Sequence, residues 1–256
     1  MNFLVRMVTE NTQWHHAVPG QLISSSDVHI WRMLLDEHSS HIESIKRNLS
    51  TDELLRAEKF YFEKDQNRFI MARGILRIIL AGYLGMKPHE ICFEYTSFGK
   101  PQVVVKNDND SICFNLSHSE NVVLYAFTNN RNIGIDVERI KDSIDVVQVA
   151  NRFFSPGEIN ALKRCNRENL AEIFFQYWTR KEALIKAMGK GVSFPLEQID
   201  VTSINGKTLS SIKIITSINN DSDWHIQDLF PAAGYKAAIA VEKRDLDISY
   251  WDYQLD

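Results

Sequence analysis

Cysteine is scarce in this chain. Three cysteines, Cys92, Cys113 and Cys165, occur among 256 residues. Their wide spacing excludes a disulfide framework, and no CxxC pair offers a metal site. Reduced, partly buried thiols of this kind are typical of a cytoplasmic protein, and we expect that location.

Long hydrophobic runs and an excess of positive charge are also missing. The most apolar helical stretch, residues 75–84, is interrupted by Arg77 and is much shorter than the roughly 20 residues that span a bilayer. The start of the chain becomes polar too soon for a signal peptide. A net charge of −4 argues against a general nucleic-acid coat protein. We therefore expect neither a membrane nor a nucleic acid as partner.

The two halves of the chain repeat the same landmarks about 105 residues apart. Each half contains a strand, a helix that begins with a capping box, a longer apolar helix, a glycine, a proline and another strand. The capping boxes run from Ser50 and from Ser155, and the glycines are Gly85 and Gly189. Hydrophobic residues make up 44% of the chain, which is enough for one large domain or two small ones.

This repeat predicts an α+β fold of two similar halves, related by a pseudo-twofold axis, with a ligand groove at their junction. The predicted halves are residues 28–130 and 131–256, and residues 1–27 are a loosely structured lead-in. A monomer is expected, because one chain supplies both sides of the interface. The long helices are predicted at 66–84 and 168–188, hairpin-like strands at 113–116, 122–128, 209–215, 224–230 and 237–241, and a turn at 107–110.

Two short motifs carry most of the recognisable chemistry. The stretch Gly-Ile-Asp-Val-Glu reads as a β-strand, in which alternate side chains share a face, so Asp136 and Glu138 point the same way. The stretch Trp-Thr-Arg-Lys-Glu-Ala-Leu-Ile-Lys is strongly helical and places Glu182 and Lys186 one turn apart. If strand and helix meet, three carboxylates and an ammonium group converge. That combination suits Mg²⁺ bound together with substrate phosphates.

Each motif alone also has an ordinary explanation. Acids are common on the solvent face of a strand, and Glu182 with Lys186 is a possible surface ion pair. Two features favour a site. Isoleucine and valine alternate with the acids, so the charges repeat on one face without a compensating lysine or arginine. Trp178 lies one turn before Glu182, as the wall of a cleft would.

The order and spacing of the motifs resemble the Sfp-type 4′-phosphopantetheinyl transferases. Besides the two motifs above, the likeness rests on Asn-Leu-Ser-His-Ser at 115–119 and Gly-Lys-Gly at 189–191, with smaller matches at 98–101 and 152–155. It covers about residues 28–242 and agrees with that family's pseudo-twofold α+β architecture. It implies Mg²⁺-dependent transfer of the phosphopantetheine arm of coenzyme A to a serine hydroxyl of an apo acyl or peptidyl carrier protein. The second product would be adenosine 3′,5′-bisphosphate.

The resemblance implies a metal site and a catalytic base in the second half. Asp136, Glu138 and Glu182 would bind Mg²⁺, which neutralises the charge that develops on the pyrophosphate. Glu182 would also take the proton of the attacking serine, directly or through a metal-bound water, and Lys186 would contact phosphate oxygens. Lys181 faces another side of the helix and is either a second ligand contact or a surface charge.

The resemblance also implies cations for the phosphates of coenzyme A in the first half. His118, with Ser117 beside it, matches the family's phosphate-binding histidine. Arg73 is the first choice for the 3′-phosphate, because the family uses a similar Ala-Arg-x-x-Leu-Arg pattern and an arginine in an apolar helix either snorkels to solvent or binds an anion. Lys100, in a glycine–proline turn, is another expected contact. Arg56, on the first capped helix, is a further candidate.

The carrier protein is acidic in general, so its receiving surface should be apolar with a few cations. Residues 189–196, beside the active helix, fit this description; the alternative is a helix cap followed by residues that pack in the core. Two other functions use similar features. A metal-dependent nuclease or nucleotidyl transferase would need a basic face, which this chain lacks, and the intact acidic and lysine motifs argue against a relative that only binds carrier proteins.

Overall fold

A computed structural model describes residues 12–17, 19–104, 112–141, 145–191, 194–202, 213–214, 224–242 and 246–255. The helices in these ranges are α1 (Ile42–Lys46), α2 (Thr51–Ala57), α3 (Glu63–Leu84), α4 (Val146–Phe153), α5 (Pro156–Arg164) and α6 (Leu170–Met188). The strands are β1 (His15–His16), β2 (Asp27–Leu34), β3 (Phe93–Tyr95), β4 (Pro101–Val103), β5 (Ile112–Ser119), β6 (Val122–Asn129), β7 (Ile133–Arg139), β8 (Ile199–Asp200), β9 (Lys213–Ile214), β10 (Trp224–Leu229), β11 (Tyr235–Glu242) and β12 (Asp247–Asp252). This mixture confirms the predicted α+β class.

Two main sheets organise the strands. Their orders are β1-β12-β2-β6-β5 and β10-β11-β7, and β3-β4 and β8-β9 form two small ribbons. The antiparallel units β2-β6-β5 and β7-β11-β10 have the same connectivity, because in each the last strand of the unit pairs with both earlier ones. The repeat in the sequence therefore has a counterpart in strand order, and the pseudo-twofold axis itself stays a prediction.

The caps of the helices explain where the chain turns. Ser155 forms a full capping box with Glu158, and at the start of α2 the Glu53 carboxylate accepts a hydrogen bond from the Ser50 amide. The long helices α3 and α6 end at Gly85 and Gly189, whose φ angles of 61° and 65° lie in the left-handed region that glycine adopts readily. Both ends agree with the sequence-based boundaries. The starts differ by two or three residues, and before α6 a 3-10 turn (Arg167–Asn169) takes up the difference.

The core is built in four layers. One face of the five-stranded sheet packs against α3, and its side chains include Trp31, Tyr125 and Phe127. The opposite face packs on the three-stranded sheet, with Ile30, Leu124, Ile135 and Ile239 among the buried residues. The other face of the three-stranded sheet packs against α6. Each sheet is therefore covered on both faces by apolar contacts.

The chain termini cross between the halves. Strand β12 pairs in parallel with β2, and β1, from the predicted lead-in, pairs with β12. The division at residue 130 stays a prediction, and β12 shows that the first sheet also receives a strand from the end of the chain. The predicted turn at 107–110 and most of the predicted strand at 209–215 lie outside the described residues.

Two composition-based expectations concern thiols and membranes. The three cysteines are free, and Cys92 is exposed rather than partly buried, which corrects that detail. None of the described helices combines the length and apolar character needed to cross a bilayer.

Candidate active site at the junction of the two sheets

The side chains of β7 alternate between two environments. Ile133, Ile135 and Val137 lie in the core between the two sheets. Because alternate residues of a strand point to opposite faces, Asp136 and Glu138 face α6. Asp136 is 4% exposed, and Glu138 is partly buried. The predicted meeting of the acidic strand with the helix that carries Glu182 is therefore present in the fold.

Gly134 sets how closely β7 and α6 approach. A Cβ atom at this position would overlap the carbonyl oxygen of Ala183 and the backbone nitrogen of Ala187. Only a residue without a side chain fits such an approach. The close packing places the helix face that carries Glu182 and Lys186 directly over the carboxylates of β7.

Side chains of β5 join the two sheets. We call this line of contact between β5 and β7, together with the face of α6 that carries Glu182 and Lys186 above it, the seam. Strands β5 and β7 are edges of different sheets, and side chains of the former bind the latter at three points. Asn115 Oδ1 accepts a hydrogen bond from the Ile135 amide at 2.9 Å. Ser117 Oγ donates to Asp136 Oδ1 at 2.9 Å. Two residues on, Ser119 Oγ donates to Oε2 of Glu138 at 2.9 Å.

Lys186 closes the seam from the helix side. Its Nζ donates to Asp136 Oδ1 at 2.6 Å, to Ser117 Oγ at 3.1 Å and to the Ile135 carbonyl at 3.3 Å. Its side chain retains 30% exposure, so a ligand can reach the ammonium group. Lys186, Ser117 and Asp136 were all predicted site residues, and the structure brings them together.

The seam carries an excess of negative charge. Burial raises the pKa of Glu138, and the neighbouring Asp136 raises it further. Burial also raises the pKa of Glu182, as do Asp136 and Glu138, whereas Lys186 lowers it. A shift of this kind marks a carboxylate that would be stabilised by an added cation, or that holds a proton more readily than usual.

The donor set fits a hard divalent cation. The Oδ2 atom of Asp136 is buried without a hydrogen-bond partner, which is costly unless something binds it. Within the described ranges, no three acidic, histidine or cysteine side chains are already gathered tightly enough to hold a metal ion. The charge of Asp136 nevertheless raises the pKa of both Glu138 and Glu182, the charge of Glu138 also raises that of Glu182, and all three side chains offer oxygen donors. Oxygen donors shared with phosphates are the usual environment of Mg²⁺.

A histidine and two cations stand beside the carboxylates. His118 is exposed, but the protein around its ring lowers its pKa, and the charges of Lys186 and Arg68 lower it further. Arg68 lies on α3, and its Nε atom is buried without a hydrogen-bond partner. Its Nη1 is 3.4 Å from Asp65 Oδ1, a long contact that leaves most of its donors for other partners. His118, Lys186 and Arg68 together can attract an anion.

Arg68 is the site residue that the sequence analysis missed. It stands where α3 changes from polar to apolar, so an arginine there reads as an ordinary solvated residue. The one available signal is a third arginine on the same helix, five residues before Arg73.

Lys100 binds backbone rather than an open cavity. Its Nζ donates to the Ile133 carbonyl at 2.9 Å and to the Lys186 carbonyl at 2.8 Å. It thereby ties a turn of the first half to the start of β7 and to the end of α6. Burial lowers the pKa of Lys100 to about 8. The predicted coenzyme A contact stays a prediction, and the contacts present are structural.

The lowered pKa of Lys100 makes stability depend on pH in a defined direction. The folded state binds this proton less tightly than the unfolded chain does, so the contribution of Lys100 to the free energy of unfolding rises as the pH increases from about 8 toward the unfolded value near 10.5. Chemical denaturation of wild type and Lys100→Met at pH 8 and pH 10 measures it. The stability difference, wild type minus variant, should grow with pH, and a difference that shrinks would contradict the assignment.

Comparison with known proteins identifies the family. The profile of the 4′-phosphopantetheinyl transferase superfamily matches residues 132–240, and the profile of the N-terminal part of 4′-phosphopantetheinyl transferases matches residues 34–130. The 4′-phosphopantetheinyl transferase HetI of Nostoc sp. is 37% identical over 94% of this chain and 98% of its own. This chain belongs to the 4′-phosphopantetheinyl transferase superfamily.

More distant relatives agree with this assignment. The 4′-phosphopantetheinyl transferase Sfp of Bacillus subtilis is 28% identical over 80% of this chain and 88% of its own. The predicted resemblance and the predicted enzyme class are thus confirmed. A nuclease and a protein that only binds carriers, the two rival interpretations, find no support in these relatives.

In this phosphopantetheinyl transferase, Arg73 has internal partners. It is 7% exposed, its Nε donates to Glu53, and its Nη2 donates to the Tyr95 hydroxyl at 2.8 Å. Arg77 binds the other oxygen of the same carboxylate at 2.6 Å. Contact between Arg73 and the 3′-phosphate stays a prediction, whereas the charge of Arg68 acts on His118 and lowers its pKa. Arg56 is exposed and lies over an aromatic ring of α3.

The structure corrects the prediction that Lys181 is a second ligand contact or a surface charge. Its side chain is 0% exposed, so it is not a surface charge. Its Nζ forms an ion pair with Glu158 at 2.7 Å and donates to the carbonyls of Leu196 and Ile199 at 3.0 and 2.5 Å. An ammonium group has three donors, and these three partners account for them. The described geometry leaves no contact for a ligand.

The predicted carrier surface at residues 189–196 is described only in part, since residues 192–193 lie outside the described ranges. Leu196 is 3% exposed, and Phe194 packs against the same apolar cluster. Leu196 therefore belongs to the core, as the alternative interpretation of this segment expected. Gly189 and Lys190 are partly exposed, and Lys190 lies over the Phe194 ring.

Proposed function

We propose that this protein transfers the 4′-phosphopantetheine group of coenzyme A to a serine hydroxyl of an apo carrier protein, with Mg²⁺, releasing adenosine 3′,5′-bisphosphate. We further propose that it acts as a monomer, because both sides of the seam come from one chain. The observation that carries the proposal is the convergence of Asp136, Glu138 and Glu182 with Lys186 and His118. The names and extensive coverage of the relatives support the same reaction.

The residues of the seam divide between binding and proton transfer. Lys186, already bonded to Asp136, offers its ammonium group to phosphate oxygens, and His118 with Arg68 would hold a further phosphate of the nucleotide. These contacts would orient the pyrophosphate so that its pantetheine-side phosphorus faces the incoming serine. Attack requires that the serine hydroxyl lose its proton, since an unperturbed hydroxyl is a weak nucleophile.

Glu182 is the residue that we propose accepts that proton. A carboxylate within hydrogen-bond reach of the serine hydroxyl can act as a general base, directly or through a metal-bound water. The serine oxygen forms a bond to phosphorus, the bond to the bridging oxygen of the pyrophosphate breaks, and the nucleotide leaves with the electron pair on its phosphate. Asp136, Glu138 and Glu182 would hold Mg²⁺, which supplies charge neutralisation on the pyrophosphate when it is bound.

Intact mass spectrometry tests the reaction. A purified apo carrier protein is incubated with coenzyme A, MgCl₂ and this protein, and its mass should increase by one phosphopantetheine group. A carrier whose acceptor serine is replaced by alanine should stay unmodified, and excess EDTA should stop the reaction. Failure to modify acyl, peptidyl and aryl carriers, with the protein shown to be folded, would overturn the proposal.

Arg68→Ala and His118→Ala should each weaken coenzyme A binding by about tenfold, since each removes a hydrogen bond to a charged phosphate. Calorimetric titration with coenzyme A measures the affinity. For 3′-dephospho-coenzyme A, the two variants should have nearly the same affinity as wild type, because this ligand lacks the phosphate that the two side chains would hold.

Arg167→Ala is the matched control, because it removes an exposed cation beside α5 and away from the seam. It should bind coenzyme A like wild type. Unchanged affinity in both seam variants would show that the phosphate lies elsewhere.

A further inference from the structure

A buried ion pair between Glu158 and Lys181 anchors α6 on the side away from the seam, and we call this pair the charge clamp. Glu158, the third residue of α5, is 0% exposed and pairs with Lys181. Its two oxygens also accept hydrogen bonds from the backbone amides of Ser155 and Val201, each at 2.8 Å. With the two carbonyls that Lys181 binds, this one ion pair joins α5, α6 and the segment around Ile199.

Arg180, the preceding residue, extends the clamp. It donates to the Val201 carbonyl at 2.9 Å and binds Asp228 of β10 through two nitrogens at 2.7 and 2.6 Å. The Val201 amide is held by Glu158 and its carbonyl by Arg180. Two neighbouring cations therefore fix one side of α6 to three other elements.

The first half contains the same device. Glu53, the third residue of α2, is 2% exposed and pairs with Arg77 of α3. Arg77 also donates to two carbonyls, of Pro88 and Ile91, that flank a short 3-10 turn. The carbonyls of Leu196 and Ile199 flank a 3-10 turn in the same way. Arg77 and Lys181 each lie eight residues before the glycine that ends their helix.

We infer that Lys181 is a positioning residue, which sets the rotation of α6 so that Glu182 and Lys186 face β7, and that it does not touch coenzyme A. Successive residues of an α-helix are about 100° apart, so fixing Lys181 toward α5 fixes the direction of its neighbour. Glu182 belongs to the seam, and Lys181 is buried among Glu158, Leu196 and Ile199. The inferred effect on catalysis rests on the proposed function, whereas the ion pair between Lys181 and Glu158 does not depend on that function.

The energetics of buried ion pairs suggest how to separate this role from ligand binding. Removing one member leaves the other as an uncompensated buried charge, which is strongly destabilising. Removing both charges restores neutrality and is often tolerated. Glutamine at position 158 keeps one oxygen, which can accept from either the Ser155 or the Val201 amide, so the pair Lys181→Met with Glu158→Gln removes both charges and retains one of the two amide hydrogen bonds.

The experiment compares wild type, Lys181→Met, Glu158→Gln and the double variant. For each protein, thermal unfolding is followed without ligand, and kcat and the KM for coenzyme A are measured by carrier modification. A positioning role predicts that both single variants lose about 100-fold in kcat, because a displaced base reacts poorly, and that any rise in the KM for coenzyme A is the same in both, because Lys186 moves with the helix. The double variant should melt above Lys181→Met and regain at least about tenfold in kcat.

A ligand contact predicts a different pattern. Lys181→Met would raise the KM for coenzyme A about tenfold or more, Glu158→Gln alone would keep normal kcat, and the double variant would recover no activity. That outcome would overturn the inference. If Lys181→Met does not fold, the isosteric Glu158→Gln variant decides, since normal kcat in it contradicts a positioning role. If the wild-type protein transfers nothing, the proposed function is refuted instead. The melting temperatures would still show whether the effects of the Lys181 and Glu158 substitutions on stability are coupled.

Discussion

Glu182→Gln should lose at least about 100-fold in carrier modification, since a positioned general base contributes on the order of 100- to 10,000-fold. The amide has no basic oxygen for the serine proton and is a weaker metal ligand than the carboxylate. The larger part of the expected loss lies in kcat, because Lys186, His118 and Arg68, which would hold the nucleotide, are unchanged. Carrier modification followed by intact mass over time measures it.

The same substitution should leave the fold intact. The pKa of Glu182 is raised in the folded state, so its charged form is disfavoured there, and its charge lowers stability as the pH rises through that range. Glutamine removes this term, and the variant should be as stable as wild type or slightly more stable near neutral pH. Glu168→Gln removes an exposed charge just before α6 and should keep full activity. Retained turnover by Glu182→Gln would exclude this residue as the essential base.

Gly134→Ala should damage stability and activity together. The added Cβ would overlap backbone atoms of Ala183 and Ala187, which cannot rotate away as a side chain could. Overpacking of a core typically costs about 1–3 kcal/mol, and a backbone contact belongs at the upper end. Because α6 must move away from β7, Glu182 and Lys186 would leave the carboxylates, and transfer should fall by about 100-fold or more.

Ile135→Val is the matched control for this substitution. It removes one buried methyl group from the adjacent position on the core side of the same strand, which costs about 0.5–1.5 kcal/mol without moving the backbone. It should keep nearly full activity. Denaturant unfolding and the modification assay on both variants decide the matter. Normal stability of Gly134→Ala would mean that helix and strand are further apart than the structure has them.

Local rules predicted the parts of this fold that short stretches of sequence determine. The helix starts after Ser50 and Ser155 and the helix ends at Gly85 and Gly189 depend on neighbouring residues alone. The shared face of Asp136 and Glu138 follows from the period of a strand. The family resemblance then indicated which helix meets that strand.

Long-range contacts account for what the sequence did not reveal. The pairing of β12 with β2 joins the end of the chain to the first half, and no local pattern encodes such a partner. Arg73 was a candidate for a ligand because an arginine in an apolar helix either snorkels or binds an anion, and Lys181 was a candidate because the family resemblance implied a second contact or a surface charge. Glu158 and Glu53, which pair with Lys181 and Arg73 instead, lie on the preceding α-helix in each case, 23 and 20 residues earlier in the chain, and also serve as helix caps.

Arg68 illustrates the converse problem. Its role depends on lying near His118, which comes from a strand about fifty residues later. Spacing within α3 cannot distinguish it from a solvated arginine. Only the packing of the helix against the five-stranded sheet brings it to the site.

A crystal structure with coenzyme A and Mn²⁺ in place of Mg²⁺ tests the central claim most directly. The anomalous signal of manganese should lie beside Asp136 Oδ2, within coordination distance of Glu138 and Glu182. The pyrophosphate should bind the same ion and Lys186, and a second phosphate should contact Arg68 or His118. Manganese or coenzyme A bound away from the seam between β5 and β7 would contradict the account.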